Sequence, residues 1–198
     1  YLFNDLAVVK KDSVEIDDID ICEQPNGFGF RGVFINDEDL LTGWKDGGGI
    51  RYMDYIWYFL TVEESVMNRI VETMLRLKLN LVIPASFLDI DNPPEKLLAD
   101  CVARRGIYLS QHHVEPVGFS SFTFDTYCRK YKKSGKFSFV DNPEVMTEAW
   151  EFYAKKWAEY DNVVWQIGLR GEGDRPLWGI NAKPTDEDLK KYGGFISN

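Results

Sequence analysis

Basic charge is in short supply in this sequence. Twenty-three Lys and Arg face 32 Asp and Glu, a formal net charge of −9. Sequence-indifferent binding to nucleic acid rests on clustered Lys and Arg that neutralise phosphates, so nucleic acid and anionic membranes are poor partners. Cysteine is equally scarce: Cys22, Cys101 and Cys128 are odd in number, widely spaced and without a Cys-x-x-Cys pair. Neither a disulfide framework nor a thiolate metal site is expected. No apolar run approaches the roughly 20 residues that cross a bilayer. The first residues show no charged n-region followed by an apolar h-region, and an opening at Tyr1 reads as a processed or excised piece, so the compartment stays open. No Gly-x-Gly-x-x-Gly follows the first apolar strand and no glycine loop ends in Lys-Ser/Thr, which counts against dinucleotide or nucleoside triphosphate binding. No cofactor is expected.

Apolar and aromatic side chains, in contrast, are plentiful. The 198 residues are 44% apolar and 15% aromatic, enough for one domain with a sizeable core. Residues 1–29 read as a connecting segment, in which Leu6 to Val9 is a candidate short strand and Val14 to Ile21 alternates like a half-exposed one. From residue 30 onward, short apolar runs alternate with helical patterns. Phe30 to Ile35, Leu81 to Ile83, Ile107 to Ser110 and Val163 to Leu169 read as strands, the last as one buried on both faces. A helix is expected from a capping box at Thr61 and Glu64 to Asn80, with Val62, Val66, Ile70 and Met74, and Met67, Val71 and Leu75 beside them, forming one broad apolar face. Two more open on the same signal, Asn92-Pro93-Pro94-Glu95 and Asn142-Pro143-Glu144, with Asn as cap. Leu40 to Leu60 and Val117 to Val140 are expected to be long aromatic-rich loops, the second with a solvated basic patch at Arg129 to Lys133. Thr185 to Asp188 looks like a further helix start. Strand-helix alternation of this kind indicates right-handed βαβ units and a parallel sheet, an α/β fold.

The chemistry gathers at the strand ends. The first strand runs into Asn36, Asp37 and Glu38, the third into His112, His113 and Glu115, and the fourth into Arg170, Glu172 and Asp174 separated by Gly171 and Gly173. His112 and His113 are the only two histidines; in an extended chain they point to opposite faces. Each motif alone also fits a solvated turn. In parallel α/β folds, however, loops leaving the C-terminal strand ends build one site, and three of four ends carry ionisable groups. Paired carboxylates beside an arginine suit acid and base work on an anionic substrate. Trp150, Phe152, Tyr153 and Trp157 sit at helical spacing and are expected in the core.

Phe30-Arg31-Gly32-Val33-Phe34-Ile35-Asn36-Asp37-Glu38, Leu75-Arg76-Leu77-Lys78-Leu79-Asn80, His112-His113 with Glu115-Pro116, and Gly168-Leu169-Arg170-Gly171-Glu172-Gly173-Asp174 occur in characteristic order and spacing. Over about residues 30 to 178 the chain resembles glycoside hydrolase family 115, the xylan α-1,2-glucuronidases. The resemblance implies a (β/α)8 TIM-type catalytic barrel of which residues 30–198 are the first half. It further implies removal of glucuronic acid or its 4-O-methyl ether from glucuronoxylan with inversion, by two carboxylates. Asp174 and Asp37 would be the catalytic candidates, Asp174 as the base that activates water. Arg170 would meet the uronate carboxylate, and His112, His113 and Glu115 would line the same pocket. Asn36, Glu38, Glu172 and Trp44 complete the candidate substrate contacts, Glu172 being the one that reads most easily as an exposed charge. Two departures stand out. Val114 interrupts the family's His-His-Glu-Pro, and Ile83-Pro84-Ala85 replaces a Trp-Pro-Ala. The family's other catalytic carboxylate would fall beyond Asn198. The expected partners are thus acidic xylan and the remaining half of the barrel. Two rivals remain open: a metal-dependent barrel hydrolase or isomerase using His112 or His113, Asp37 and Asp174, and a non-catalytic chain that binds an acidic sugar.

Overall fold

The computed structural model describes residues 11–22, 27–36, 47–53, 58–168, 170–177 and 183–196. Four short strands, β1 (Gly32–Phe34), β4 (Leu81–Ile83), β5 (Tyr108–Ser110) and β6 (Val163–Val164), form one parallel sheet in the order β1-β4-β5-β6. Between β1 and β4 lie a two-stranded antiparallel hairpin, β2 (Gly49–Ile50) with β3 (Leu60–Thr61), and helix α1 (Glu64–Arg76). Helix α2 (Pro93–Ala103) links β4 to β5; α3 (Ser121–Tyr131) and α4 (Pro143–Trp157) link β5 to β6; α5 (Asp186–Ile196) follows. Sheet and helices alternate as mixed α/β with parallel βα units. No described helix is long and apolar enough to cross a membrane.

Only one face of the sheet is sealed. Register places Val33, Val82, Leu109 and Val163 in one row. Val82 and Leu109 are fully buried against Val71, Met74, Leu98 and Val102 of α1 and α2. The opposite face, which holds Phe34 and Tyr108, lies open, as strand alternation requires when that face is uncovered. The expectation that the fourth strand is covered on both sides fails for the same reason. β6 is two residues long, and beyond it Trp165 and Ile167 are exposed. There Gln111 pulls the backbone out of the ladder, its Oε1 accepting from the Gln166 N–H at 2.9 Å.

Other local expectations are corrected. Thr61 does not cap α1: it sits in β3, and Glu63 takes the N-cap position without a side-chain cap bond to the helix backbone. Asn92 and Asn142 hold N-cap positions yet cap nothing, because their amides reach other partners, Ile50 O and Glu95 Oε2 for Asn92 and Lys136 O for Asn142. Val14 to Ile21 forms no strand among the described residues and is exposed; Leu6 to Val9 lies outside them. The supposed loop from Val117 to Val140 contains α3, whose Phe124, Tyr127 and Cys128 are buried in the core. Ring packing against Phe119, Phe137 and Tyr153 outweighs the weak helix propensity of Ser, Phe, Thr and Tyr. The basic patch therefore falls at the end of this helix, and two of its cations, Lys130 and Lys133, are paired. Lys130 and Lys156 hold Asp91 at 2.5 and 2.9 Å, and Lys133 holds Glu148 at 2.5 Å. Trp157 and Tyr153 are core residues as expected, the Trp157 indole donating to Gly118 O at 3.1 Å. All three cysteines are free. Thr185 does start a helix: its hydroxyl accepts from the Asp188 N–H at 3.1 Å while the Asp188 carboxylate accepts from the Thr185 N–H at 2.9 Å.

An ion pair not foreseen from sequence fastens the end of the hairpin strand β2 to helix α2. Arg51 and Glu95 have side chains only 1% exposed, with Nε to Oε1 at 2.8 Å. Glu95 also accepts from the Asp89 N–H at 3.1 Å and the Asn92 amide at 2.8 Å, so both of its oxygens are satisfied. Removing one partner of a buried pair strands the other charge in a medium that solvates it poorly. Glu95→Gln should therefore lower the stability of the full-length protein by about 3–5 kcal/mol, read from urea unfolding. A loss below about 1 kcal/mol would mean that the pair behaves as a solvated one.

Candidate functional site

The C-terminal ends of the parallel strands meet above the sheet. After β1 the chain reaches Asn36, whose backbone carbonyl and Oδ1 accept from the Ser86 hydroxyl at 2.9 and 3.2 Å. Asp37, Glu38 and Trp44, expected here, lie outside the described residues. After β4 come Ser86 and Phe87. Phe87 packs its ring on His112 with centroids 5.0 Å apart, and Phe34 approaches the same imidazole at 4.9 Å.

After β5 the chain turns at once. The Glu115 N–H donates to His112 O at 2.8 Å, closing a turn over 112–115 where an extended segment was expected. The two imidazoles consequently lie on the same side, with centroids 4.0 Å apart and planes inclined by 33°. His112 is buried and His113 exposed. The inserted Val114 is buried, and its N–H donates to His112 Nδ1 at 3.3 Å, which leaves the ring proton of a neutral imidazole on Nε2. Glu115 is 1% exposed, and its Oε2 accepts from the His112 N–H at 2.8 Å. This carboxylate braces the turn from beneath. Burial, reinforced by His113 and partly offset by Asp174, pushes the His112 pKa from 6.5 down to about 4.

After β6 the chain rises to the charged loop. Arg170 Nη1 donates to Asp174 Oδ1, and His113 Nε2 lies 3.3 Å from the same oxygen. Asp174 is thus clamped between a guanidinium and an imidazole on two different strand ends. The loop is held from α3, whose Ser121 hydroxyl accepts from the Gly173 N–H at 2.6 Å; Gly173 has φ +62°, a left-handed conformation natural to glycine. Glu172 is exposed and pairs only loosely with Arg175, at 3.6 Å. Of the candidates, Arg170, Asp174, His113 and His112 come together, Asn36 approaches through Ser86, and Glu115 and Glu172 face elsewhere. Sequence reasoning missed Ser86, Phe87 and Ser121. Ser86 and Phe87 follow a strand end without charge, the signal that drew attention to the others.

A cavity of about 490 Å³ borders Arg170 and Gly171, walled by Phe139, Met146, Trp150, Leu177 and Tyr192. Its lining is mainly apolar, and His112, His113 and Asp174 lie outside it. Among the described residues no group of three or more His, Cys, Asp or Glu side chains is arranged to hold a metal ion.

The sequence profile of glycosyl hydrolase family 115 matches residues 23–191 of the 198. No curated protein matches the chain.

The buried imidazole yields a pH prediction. A folded-state pKa below the unfolded one means that the unfolded chain takes up the proton first. The stability His112 contributes is complete above about pH 6.5 and is lost as pH falls towards about 4. In the full-length protein the His112 ring resonances should stay those of a neutral, Nε2-protonated imidazole from pH 7 to about 5. An NMR titration with a midpoint near 6.5 would contradict this placement.

Proposed function

The chain belongs to glycosyl hydrolase family 115, and from that premise we propose that it serves in removing glucuronic acid, or its 4-O-methyl ether, from glucuronoxylan with inversion of configuration. A family of glycoside hydrolases acts on carbohydrate, and the arrangement around Asp174 supports this finer reading. The observation that carries it is the Arg170–Asp174–His113 cluster above the parallel sheet. A guanidinium has five N–H donors in a planar fork, so Arg170 can steady Asp174 with one and offer others to a uronate carboxylate. Asp174, exposed to water and lying beside both groups, is the base that draws a proton from the attacking water. Its partner acid in an inverting pair stands roughly 6.5–9.5 Å away, leaving room for that water.

We take the four-stranded sheet as part of a (β/α)8 barrel that the rest of the catalytic domain completes, with residues 1–29 as a connection from a preceding unit. The strand order β1-β4-β5-β6 and the open face bearing Phe34 and Tyr108 are consistent with such an arrangement. A barrel interior is packed by the side chains of all its strands.

Full-length protein should release glucuronate from glucuronoxylan. Asp174→Asn should lower kcat by about two orders of magnitude or more while KM changes little. Arg170→Lys should chiefly raise KM for the uronate-bearing substrate, because a point charge replaces a bidentate fork. Retained activity in Asp174→Asn would remove that residue from the reaction.

A further inference from the structure

Beyond Val164 the chain leaves the sheet. The ladder between β5 and β6 stops at Ser110 and Val164, and Trp165 and Ile167 stand exposed on the way to Arg170. The stem of the charged loop is gripped instead at Gln166, from both sides of its backbone. Its N–H donates to Gln111 Oε1 at 2.9 Å, and its carbonyl accepts from the Val117 N–H at 2.7 Å. Both grips come from the segment that carries the histidines, because Gln111 directly precedes His112 and Val117 follows Glu115 and Pro116.

Each grip is made against a local preference. Val117 has φ +57° and ψ 31°, a left-handed backbone that is an outlier for a β-branched residue. Two indoles of α4 hold the carbonyls on either side of it: Trp150 Nε1 donates to Pro116 O at 3.0 Å, and Trp157 Nε1 to Gly118 O. Gln111 is 3% exposed, and although its oxygen is used, its Nε2 meets no hydrogen-bond partner among the described residues. A buried donor left unmatched destabilises the fold, and a strained residue persists only where its surroundings over-determine it. A methionine at position 111 and a glycine at position 117 would relieve both. What the two residues supply together is the placing of Gln166, the stem from which the Arg170–Asp174 loop rises. The approach of His113 Nε2 to Asp174 Oδ1 at 3.3 Å spans the same two strand ends that Gln111 joins.

We propose that Gln111 is a positioning residue: by holding the Gln166 N–H it sets the distance between the histidine turn and the loop that carries Asp174. This rests on the role given to Asp174 above. Gln111 acts through Gln166 and the loop, without touching substrate.

The test is Gln111→Met in the full-length protein, which keeps the length of the side chain, removes the oxygen that holds Gln166 and removes the unmatched donor. The lost bond and the relieved donor offset one another, so Tm should stay within about 4 °C of wild type. Over the same change kcat on a 4-O-methylglucuronosyl xylotriose should fall about 10- to 100-fold, as expected when a reacting group is misplaced by about 1 Å. Added to Asp174→Asn, Gln111→Met should lower the residual kcat by less than about twofold, because the group it positions is already gone. An unchanged kcat in the single variant would overturn the proposal, as would losses that multiply in the double variant. A Tm lowered by more than about 4 °C, or a failure to fold, would make Gln111 a structural residue and overturn it too. A crystal structure of the Gln111→Met protein separates this idea from the reaction assigned above. Opening of the His113–Asp174 contact beyond about 4 Å supports the positioning role even if the wild type releases no glucuronate, whereas a contact kept at its original length refutes it.

Discussion

Arg51, taken out of water and held against Glu95, is the constraint on which the upper edge of the sheet depends. Arg51 continues a hairpin with two residues in each strand, far too little to stand alone in water. Glu95 belongs to the first turn of α2, where a carboxylate is also favoured by the helix dipole. Joined, they fasten the crossover between β1 and β4 to the α2 layer and shape the turn at Ser86 and Phe87. Ser86 then reaches back to Asn36, so the ends of β1 and β4 share one fixed geometry. A buried pair of this kind adds little to net stability relative to an apolar one, and its value lies in specifying a single arrangement.

The remaining strand ends are tied by different means. Glu115 braces the turn that stacks His112 beneath His113, and Ser121 at the start of α3 holds the glycine-rich loop that carries Asp174. Three separate polar anchors thus set three loops around one carboxylate. The sheet beneath supplies the common origin, because parallel strands direct all of their C-terminal ends the same way. Asp174 meets a guanidinium from its own loop and an imidazole from a neighbouring one.

Much of this was legible in the sequence, and for a physical reason. The strands Leu81–Ile83 and Tyr108–Ser110 are short runs centred on the buried Val82 and Leu109, and the charges that follow the other three strand ends, Tyr108–Ser110 among them, mark the site. Three kinds of feature escaped. Helix α3 is written in residues with weak helix preference, and only its packing partners make it a helix. Arg51 and Glu95 stand 44 positions apart, and nothing local in either segment announces a buried pair. The adjacent histidines were expected on opposite faces, but the 112–115 turn, closed by Glu115, puts both on one side. In each case a tertiary contact decided what the local pattern left open.

The central claim is that a water activated at this site attacks the sugar from the face opposite the departing xylan chain. The most direct measurement is the anomeric form of the first glucuronate released from glucuronoxylan oligosaccharides by full-length protein, followed by proton NMR from the earliest minutes. Inversion at an α-linked sugar predicts that the β-anomer appears first and then equilibrates with the α-anomer. Initial appearance of the α-anomer, or no release at all, would contradict the account.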